Sequence, residues 1–376
     1  MRIDEPGQLI LGCEWHISPL GRSYFVNHNT GTTSWTKPTP ERPEGSLTPE
    51  RVIEGHAECI WSLACVGSCN VMSASDDGSI RQWTRDGEPV GVPWRCDGGG
   101  MGSMAVSPDE SMVASGSVDG RIRLWNIKEG KMIGDPWDGH GAPVRCLDWS
   151  PNSREIASGS QDGTIRRWNP DTGHQIGPTL ETGHGWVDTV KYSPQGDKFV
   201  SGGADRMIRI WSTVGKLLVE ITGHTHMVRS LCWSKDGTHI FSGSADHTIR
   251  KWQSTDGKEL VVLRGHTNTI RSLCISRDER HLVSASEDCS VRIWNLKANE
   301  QVGNPLLHDD EILALAITPD GRYIASAGLD RKIYLWSMEA ALKQDLDGVH
   351  VRAYNAVVSI LSNRPCMIAT LCTAQG

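Results

Sequence analysis

An all-β repeat protein is the fold class this sequence predicts, and three regularities predict it. A tryptophan closes a short strand-like segment seven times, at Trp83, Trp125, Trp168, Trp211, Trp252, Trp294 and Trp336, at spacings of 42, 43, 43, 41, 42 and 42 residues. Six residues before each stands an aspartate (Asp77, Asp119, Asp162, Asp205, Asp246, Asp288, Asp330), and ten before each a serine (Ser73, Ser115, Ser158, Ser201, Ser242, Ser284, Ser326). Each unit also reads strand–turn–strand, as in Ser158-Gly159-Ser160-Gln161-Asp162-Gly163-Thr164-Ile165-Arg166-Arg167-Trp168, where Asp162-Gly163 is a two-residue hairpin signal. Self-similarity at this period means one array whose units bury their apolar faces on one another.

Composition narrows the classes. The 376 residues carry a net charge of −7, which argues against a nucleic-acid backbone as the main partner. Eleven cysteines are scattered without a CxxC pair, and Cys146, Cys232 and Cys274 fall on apolar strand positions. They read as small core residues in a reducing compartment. No apolar run reaches the length of a membrane span and no signal peptide opens the chain, so the expectation is a soluble protein of cytoplasm or nucleus.

Residues 9–38 form a separate unit. Gly12-Cys13-Glu14, Gly21-Arg22-Ser23-Tyr24-Phe25-Val26-Asn27-His28-Asn29-Thr30, Thr32-Thr33-Ser34-Trp35 and Pro38 follow one another at the spacing of a WW domain, which this stretch resembles. The resemblance implies a three-stranded antiparallel sheet, with turns at residues 18–21 and 29–31. It also implies a groove for proline-rich peptides between Tyr24 and Trp35, beside Thr33, with His28 and Val26 placed as in the members that take PPxY ligands. Two rigid aromatic walls would hold a preordered ligand at low entropic cost. One position departs: the family's first tryptophan falls at Cys13, where losing a large aromatic costs roughly 3–5 kcal/mol in a core with little to spare. Trp15, on the same strand face, can compensate in part. Residues 39–50 are a proline-rich linker, semi-stiff and without periodicity.

From 51 to 338 the repeats resemble the WD40 family. Gly55-His56, Gly139-His140, Gly183-His184, Gly223-His224 and Gly265-His266 open five units; the seventh keeps His308 without the glycine, and the second has Asp97. An apolar strand, a turn such as Ser234-Lys235-Asp236-Gly237, the strand–turn–strand and a fourth strand such as 260–263 complete each unit. The fold implied is a seven-bladed β-propeller.

In that family His, Ser, Asp and Trp join by side-chain hydrogen bonds. His140, Ser158 and Asp162 could pass for a hydrolase triad, but a catalytic set is built once in one cleft, whereas this one recurs around the ring. It reads as a device that satisfies buried polar groups and pins turns. Blade two, with Asp97 before Gly98-Gly99-Gly100, should then be the least rigid. Ring closure needs one more strand; residues 51–54 are expected to pair onto blade seven, in preference to 341–346. Residues 339–376 read as a poorly packed tail that begins helix-prone at Glu339–Lys343.

Family contact positions on the narrower face fall at Trp61, Asp76, Arg145, Gln161, Trp186, Asp188, Met227, Arg229, Arg271, Glu287 and Glu311. Trp and Arg are the residue types of binding hot spots. Arg145, Arg229 and Arg271 either converge on an acidic or phosphorylated segment or pair with Glu287, Glu311 and neighbours as rim charges. The residues after the seven tryptophans (Thr84, Asn126, Asn169, Ser212, Gln253, Asn295, Ser337) are never aspartate, and none has arginine three positions on, so the WDxR signature of ubiquitin-ligase substrate receptors is missing. The reading is a non-enzymatic scaffold with protein partners, no cofactor, no metal, no membrane and no direct nucleic acid. The alternative is a scaffold subunit of an RNA-processing or ubiquitin-ligase complex.

Overall fold

The computed structural model of the chain describes residues 45–344, apart from 68 and 69, and the backbone of three short strands before them. Those three, β1 (Cys13–Ile17), β2 (Ser23–Asn27) and β3 (Thr32–Ser34), form one antiparallel sheet in the order β1-β2-β3. The register sets Trp15 opposite Phe25 and Val26 opposite Thr33. The two turns expected here lie outside the described residues.

The remaining strands form seven four-stranded antiparallel sheets. Blade one is β5 (Ile60–Val66), β6 (Asn70–Ser75), β7 (Ser79–Trp83) and β8 (Trp94–Arg95). Its successors begin with inner strands Met101–Val106, Val144–Trp149, Val187–Tyr192, Val228–Trp233, Ile270–Ile275 and Ile312–Ile317. Apolar residues of adjoining blades share one layer, as where Ala114, Ile122 and Leu124 of blade two pack on Val144, Leu147 and Trp149 of blade three. This packing explains the small residue between the paired serines of the second strand. A Cβ on Gly116 would stand 2.5 Å from Val144, one on Gly159 2.5 Å from Val187, and one on Gly202 2.7 Å from Val228. A larger side chain there would push the blades apart.

The amino-terminal segment closes the ring. β4 (Arg51–Ile53) is the outer strand of blade seven, with Ile53 opposite Ile333 and Val52 opposite Tyr334. Ile53 is buried in the apolar layer that joins blades seven and one, with Leu335, Ile60 and Trp83. The competing candidate differs in kind: residues 338–344 are helical. This stretch also corrects the expectation of a poorly packed tail over its first turns, since Met338 and Ala341 are buried against Val302 and Leu306. Residues 345–376 lie outside the described residues. No helix among the described residues is long and apolar enough to cross a membrane.

The blade turn differs from the two-residue hairpin expected at Asp162-Gly163. Gly163 N–H donates to Ser160 O at 3.2 Å, so Gln161 and Asp162 are the central pair, and Gly163, at φ +82°, is the left-handed residue that follows. This geometry turns the Asp162 carboxylate back over the turn, where it accepts the Thr164 N–H at 2.9 Å.

Candidate functional site

In five blades the polar residues form a continuous chain. Trp168 Nε1–H donates to Ser158 Oγ at 2.8 Å, Ser158 Oγ lies 2.7 Å from His140 Nε2, and His140 Nδ1 lies 2.9 Å from Asp162. A carboxylate only accepts, so Nδ1 carries the hydrogen, Nε2 accepts from serine, and a neutral imidazole satisfies every member. The same chain runs through His56, Ser73, Asp77 and Trp83, and through His184, Ser201, Asp205 and Trp211. It recurs with His224, Ser242, Asp246 and Trp252, and with His266, Ser284, Asp288 and Trp294. The serines are fully buried and engaged on both sides. A nucleophile needs an approach for substrate, and these have none.

Burial pushes the His56, His140 and His266 imidazoles below their usual range, against the attraction of their aspartates. Burial pushes the Asp77 carboxyl up, but hydrogen bonds from Ser79, Ala57 N–H and His56 outweigh it and hold it at about 2. The same balance holds Asp205 and Asp288 at about 2.

Two blades vary the chain. Blade two lacks the histidine, yet it is braced. Arg123, 1% exposed, donates from Nη1 to Ser117 Oγ at 2.7 Å and from Nη2 to Asp119 at 2.8 Å and Asp97 at 3.0 Å, while Trp125 keeps its bond to Ser115 at 2.9 Å. The guanidinium gives Asp119 the partner that histidine gives the turn aspartate elsewhere, bonding Ser117 in place of Ser115, so blade two keeps a brace without the histidine. Gly98 makes room for it, since a Cβ there would stand 2.1 Å from Asp119 Oδ2. In blade seven, Trp336 and His308 both meet Ser326, but the Asp330 carboxylate accepts from the Tyr334 hydroxyl at 2.7 Å. Burial raises the Asp330 carboxyl pKa, and Asp309 adds to the effect.

Sequence reasoning missed this fifth position. Two residues before the tryptophan stand Arg81, Arg123, Arg166, Arg209, Arg250 and Arg292, with Tyr334 in blade seven. Arg209 bonds Asp205 and Glu220, and Arg250 lies 3.6 Å from Asp246. The recurrence was present in the sequence and its spacing would have found it.

The contact positions separate into groups. Arg145 lies over the Trp61 ring, 5.7 Å from its centroid. Asp188, buried, accepts from Arg229 Nη1 at 3.1 Å and stands 3.5 Å from Arg145 Nε. Arg271 does not join them; it pairs with Glu287 at 2.5 Å in its own blade. Trp186 is 44% exposed. Asp76 is exposed and accepts from the Cys59 thiol, whose pKa burial and this carboxylate push up to about 12. Gln161, Met227 and Glu311 hold their loops through main-chain hydrogen bonds. Trp61, Arg145, Cys146, Thr189, Arg271 and Cys274 line a central channel of about 360 Å³ together with inner-strand residues of every blade.

In the small sheet Val26 is half-buried and Thr33 exposed, opposite each other in the ladder. Tyr24 lies in β2, paired with His16. His28 and Trp35 lie outside the described residues.

Seven radial sheets, five with a tryptophan–serine–histidine–aspartate brace and two with an arginine or tyrosine variant of it, define a WD-repeat propeller. The WD domain, G-beta repeat family matches at residues 47–84, 92–126, 131–169, 177–212, 215–253, 257–295 and 302–337, and the chain belongs to that family. The WW domain matches at residues 12–38. An uncharacterised WD repeat-containing protein of Schizosaccharomyces pombe is 30% identical over 107 residues, 27% of this chain and 17% of that protein. A probable E3 ubiquitin-protein ligase, hulA, of Aspergillus terreus is 42% identical over 48 residues, 13% of this chain and 6% of that protein. Each alignment thus spans under a fifth of the relative's length. Propeller and WW module together make this a protein-interaction scaffold.

Proposed function

We propose that the chain is a two-site adaptor. The WW module takes a proline-rich segment of PPxY type through Tyr24, Val26, His28, Thr33 and Trp35. The channel-side face of the ring takes a second segment, of the same partner or another, around Trp61, Arg145, Trp186 and Arg229. The observation that supports this most is the division of labour among polar groups. The recurring His–Ser–Asp sets are consumed inside the blades, while an indole, Trp186, stands 44% exposed on the surface. Trp186 stands two residues before Asp188, which Arg145 and Arg229 share, and tryptophan and arginine are residue types of binding hot spots. Joining two sites by a 12-residue linker, residues 39–50, raises the effective concentration for the second contact.

Affinity purification with the whole chain, a Trp35→Ala variant and a Trp186→Ala variant tests this. Each substitution should delete its own subset of partners, and a peptide array should return PPxY sequences that Trp35→Ala loses. Identical partner lists from all three proteins would sink the adaptor reading. The short likeness to a probable E3 ubiquitin-protein ligase favours a second reading, a subunit of a ubiquitin-ligase complex. Recovery of ligase subunits with the wild-type chain would support that one.

A further inference from the structure

The channel mouth is asymmetric, and the asymmetry has a chemical consequence. Five residues after the blade histidine stand Trp61, Arg145, Arg229, Arg271 and Leu313; the matching place in blade two is Gly102. Having no side chain, Gly102 leaves a gap across which Arg145 of blade three reaches Trp61 of blade one. On its other side Arg145 meets Asp188, which Arg229 also holds. Arg271 has a carboxylate of its own in Glu287. Two guanidinium groups therefore share the Asp188 carboxylate, and Glu287, held by Arg271, is the other counter-charge near Arg229, so three guanidinium groups face two carboxylates. Arg229 Nε–H and Asp188 Oδ2 are both buried and have no hydrogen-bond partner among the described residues. Buried unpaired charge and unused donors are costly, and a counter-charge from outside would relieve both.

We propose that this mouth binds an oxyanion carried on an extended segment of a partner protein, a carboxylate or a phosphate gripped between Arg145 and Arg229. The proposal rests on the ring-face reading above and names its chemistry. A cationic ligand fits less well. The Asp188 side chain is only 3% exposed, and both arginines already crowd its Oδ1. Burial depresses the Arg229 guanidinium pKa, the Asp188 carboxylate opposes this, and repulsion from Arg271 and Arg145 adds to the depression, so a bound anion would favour the charge that Arg229 carries. Guanidinium takes planar oxyanions in a two-pronged grip. Trp61, whose ring lies beneath Arg145, supplies an apolar wall. A nucleic-acid strand is disfavoured by the net charge of −7.

The test uses the full chain and fluorescein-labelled probes read by anisotropy at low salt: a hexaglutamate peptide, a phosphoserine pentapeptide and hexauridylate. Wild-type protein should bind at least one peptide, and the tighter of the two assigns the source of the oxyanion. Arg145→Gln and Arg229→Gln should each weaken binding by about tenfold or more. Asp188→Asn should strengthen it several-fold, because the competing carboxylate is gone while the shape is kept. Trp35→Ala should leave it unchanged. Circular dichroism of each variant keeps a folding loss from passing as a binding loss. Weaker or unaltered binding by folded Asp188→Asn overturns the proposal, as does binding of hexauridylate alone or of no probe. Should a ring partner be lost with Trp186→Ala yet ignore Asp188→Asn and Arg145→Gln, the oxyanion site fails while the adaptor role stands. Should the probes behave as expected while no ring partner is recovered, the site stands and the adaptor role fails.

Discussion

Replacing Arg123 with leucine should remove the brace of blade two, and the contacts allow its size to be worked out. The guanidinium makes four hydrogen bonds, to Ser117, to Asp97 and twice to Asp119. The bond to Asp97 counts for little, because that side chain is 92% exposed and water replaces the arginine. The bonds to Asp119 and Ser117 are the substance. Breaking a buried ion pair by removing one partner costs about 3–5 kcal/mol. The Asp119 side chain is 23% exposed, so water recovers part of the loss, and the lower end, about 3 kcal/mol, is expected. Asp97→Ala should cost under about 1 kcal/mol. Urea unfolding followed by tryptophan fluorescence gives the comparison. Hydrogen exchange should show the loss concentrated in residues 101–126, because repeat units can soften singly. An equal cost for Asp97→Ala and Arg123→Leu would refute the idea that arginine has taken the histidine's structural role. So would protection in 101–126 that Arg123→Leu leaves intact.

Further outcomes follow from the same geometry. Gly98→Ala should destabilise by about 1–3 kcal/mol, because its methyl group would meet the Asp119 carboxylate and the Arg123 guanidinium. Most of that cost should vanish in an Arg123→Leu background, a coupling that a double-mutant cycle reads directly. Ile53→Ala should cost about 2–5 kcal/mol, since it empties the layer that seals blade seven to blade one; a surface-like cost in urea melts would count against closure by β4. Stability should fall in acid in two stages. Imidazoles with folded pKa values below the unfolded 6.5 contribute stability that is whole above that value and is lost as pH falls below it. Asp77, Asp205 and Asp288, held at about 2, contribute stability present above the unfolded carboxylate range and lost as pH drops from about 4 towards 2. Thermal melts across pH 2–8 check both stages, and a midpoint flat from pH 7 to 3 would contradict them.

How much was legible in advance varied from residue to residue. The brace through His140, Ser158, Asp162 and Trp168 could be read at once, because its members recur at fixed spacing and the units cannot be buried singly. Arg123 was equally visible as a repeated arginine, but its role was not, because it stands in for a residue 26 positions earlier in the chain. The turn at Asp162-Gly163 misled because the dipeptide suits two geometries, and the choice was made by the carboxylate's need to reach back to Thr164 and His140. At the channel mouth, the sequence offered three arginines and two readings of them, and Arg271 alone takes the pairing with Glu287 that one reading named.

Period, repeat number and the members of the polar brace are local properties. They rest on residue types at set intervals along one strand or turn, and so the sequence determined them by itself. Which charges meet across the ring was decided only by the tertiary structure. Arg145 and Arg229 share Asp188 and Arg271 does not, because three blades bring those side chains within a few ångströms of one another while Gly102 leaves the fourth direction open. Distances between blades depend on twist and packing, and residue spacing does not encode them.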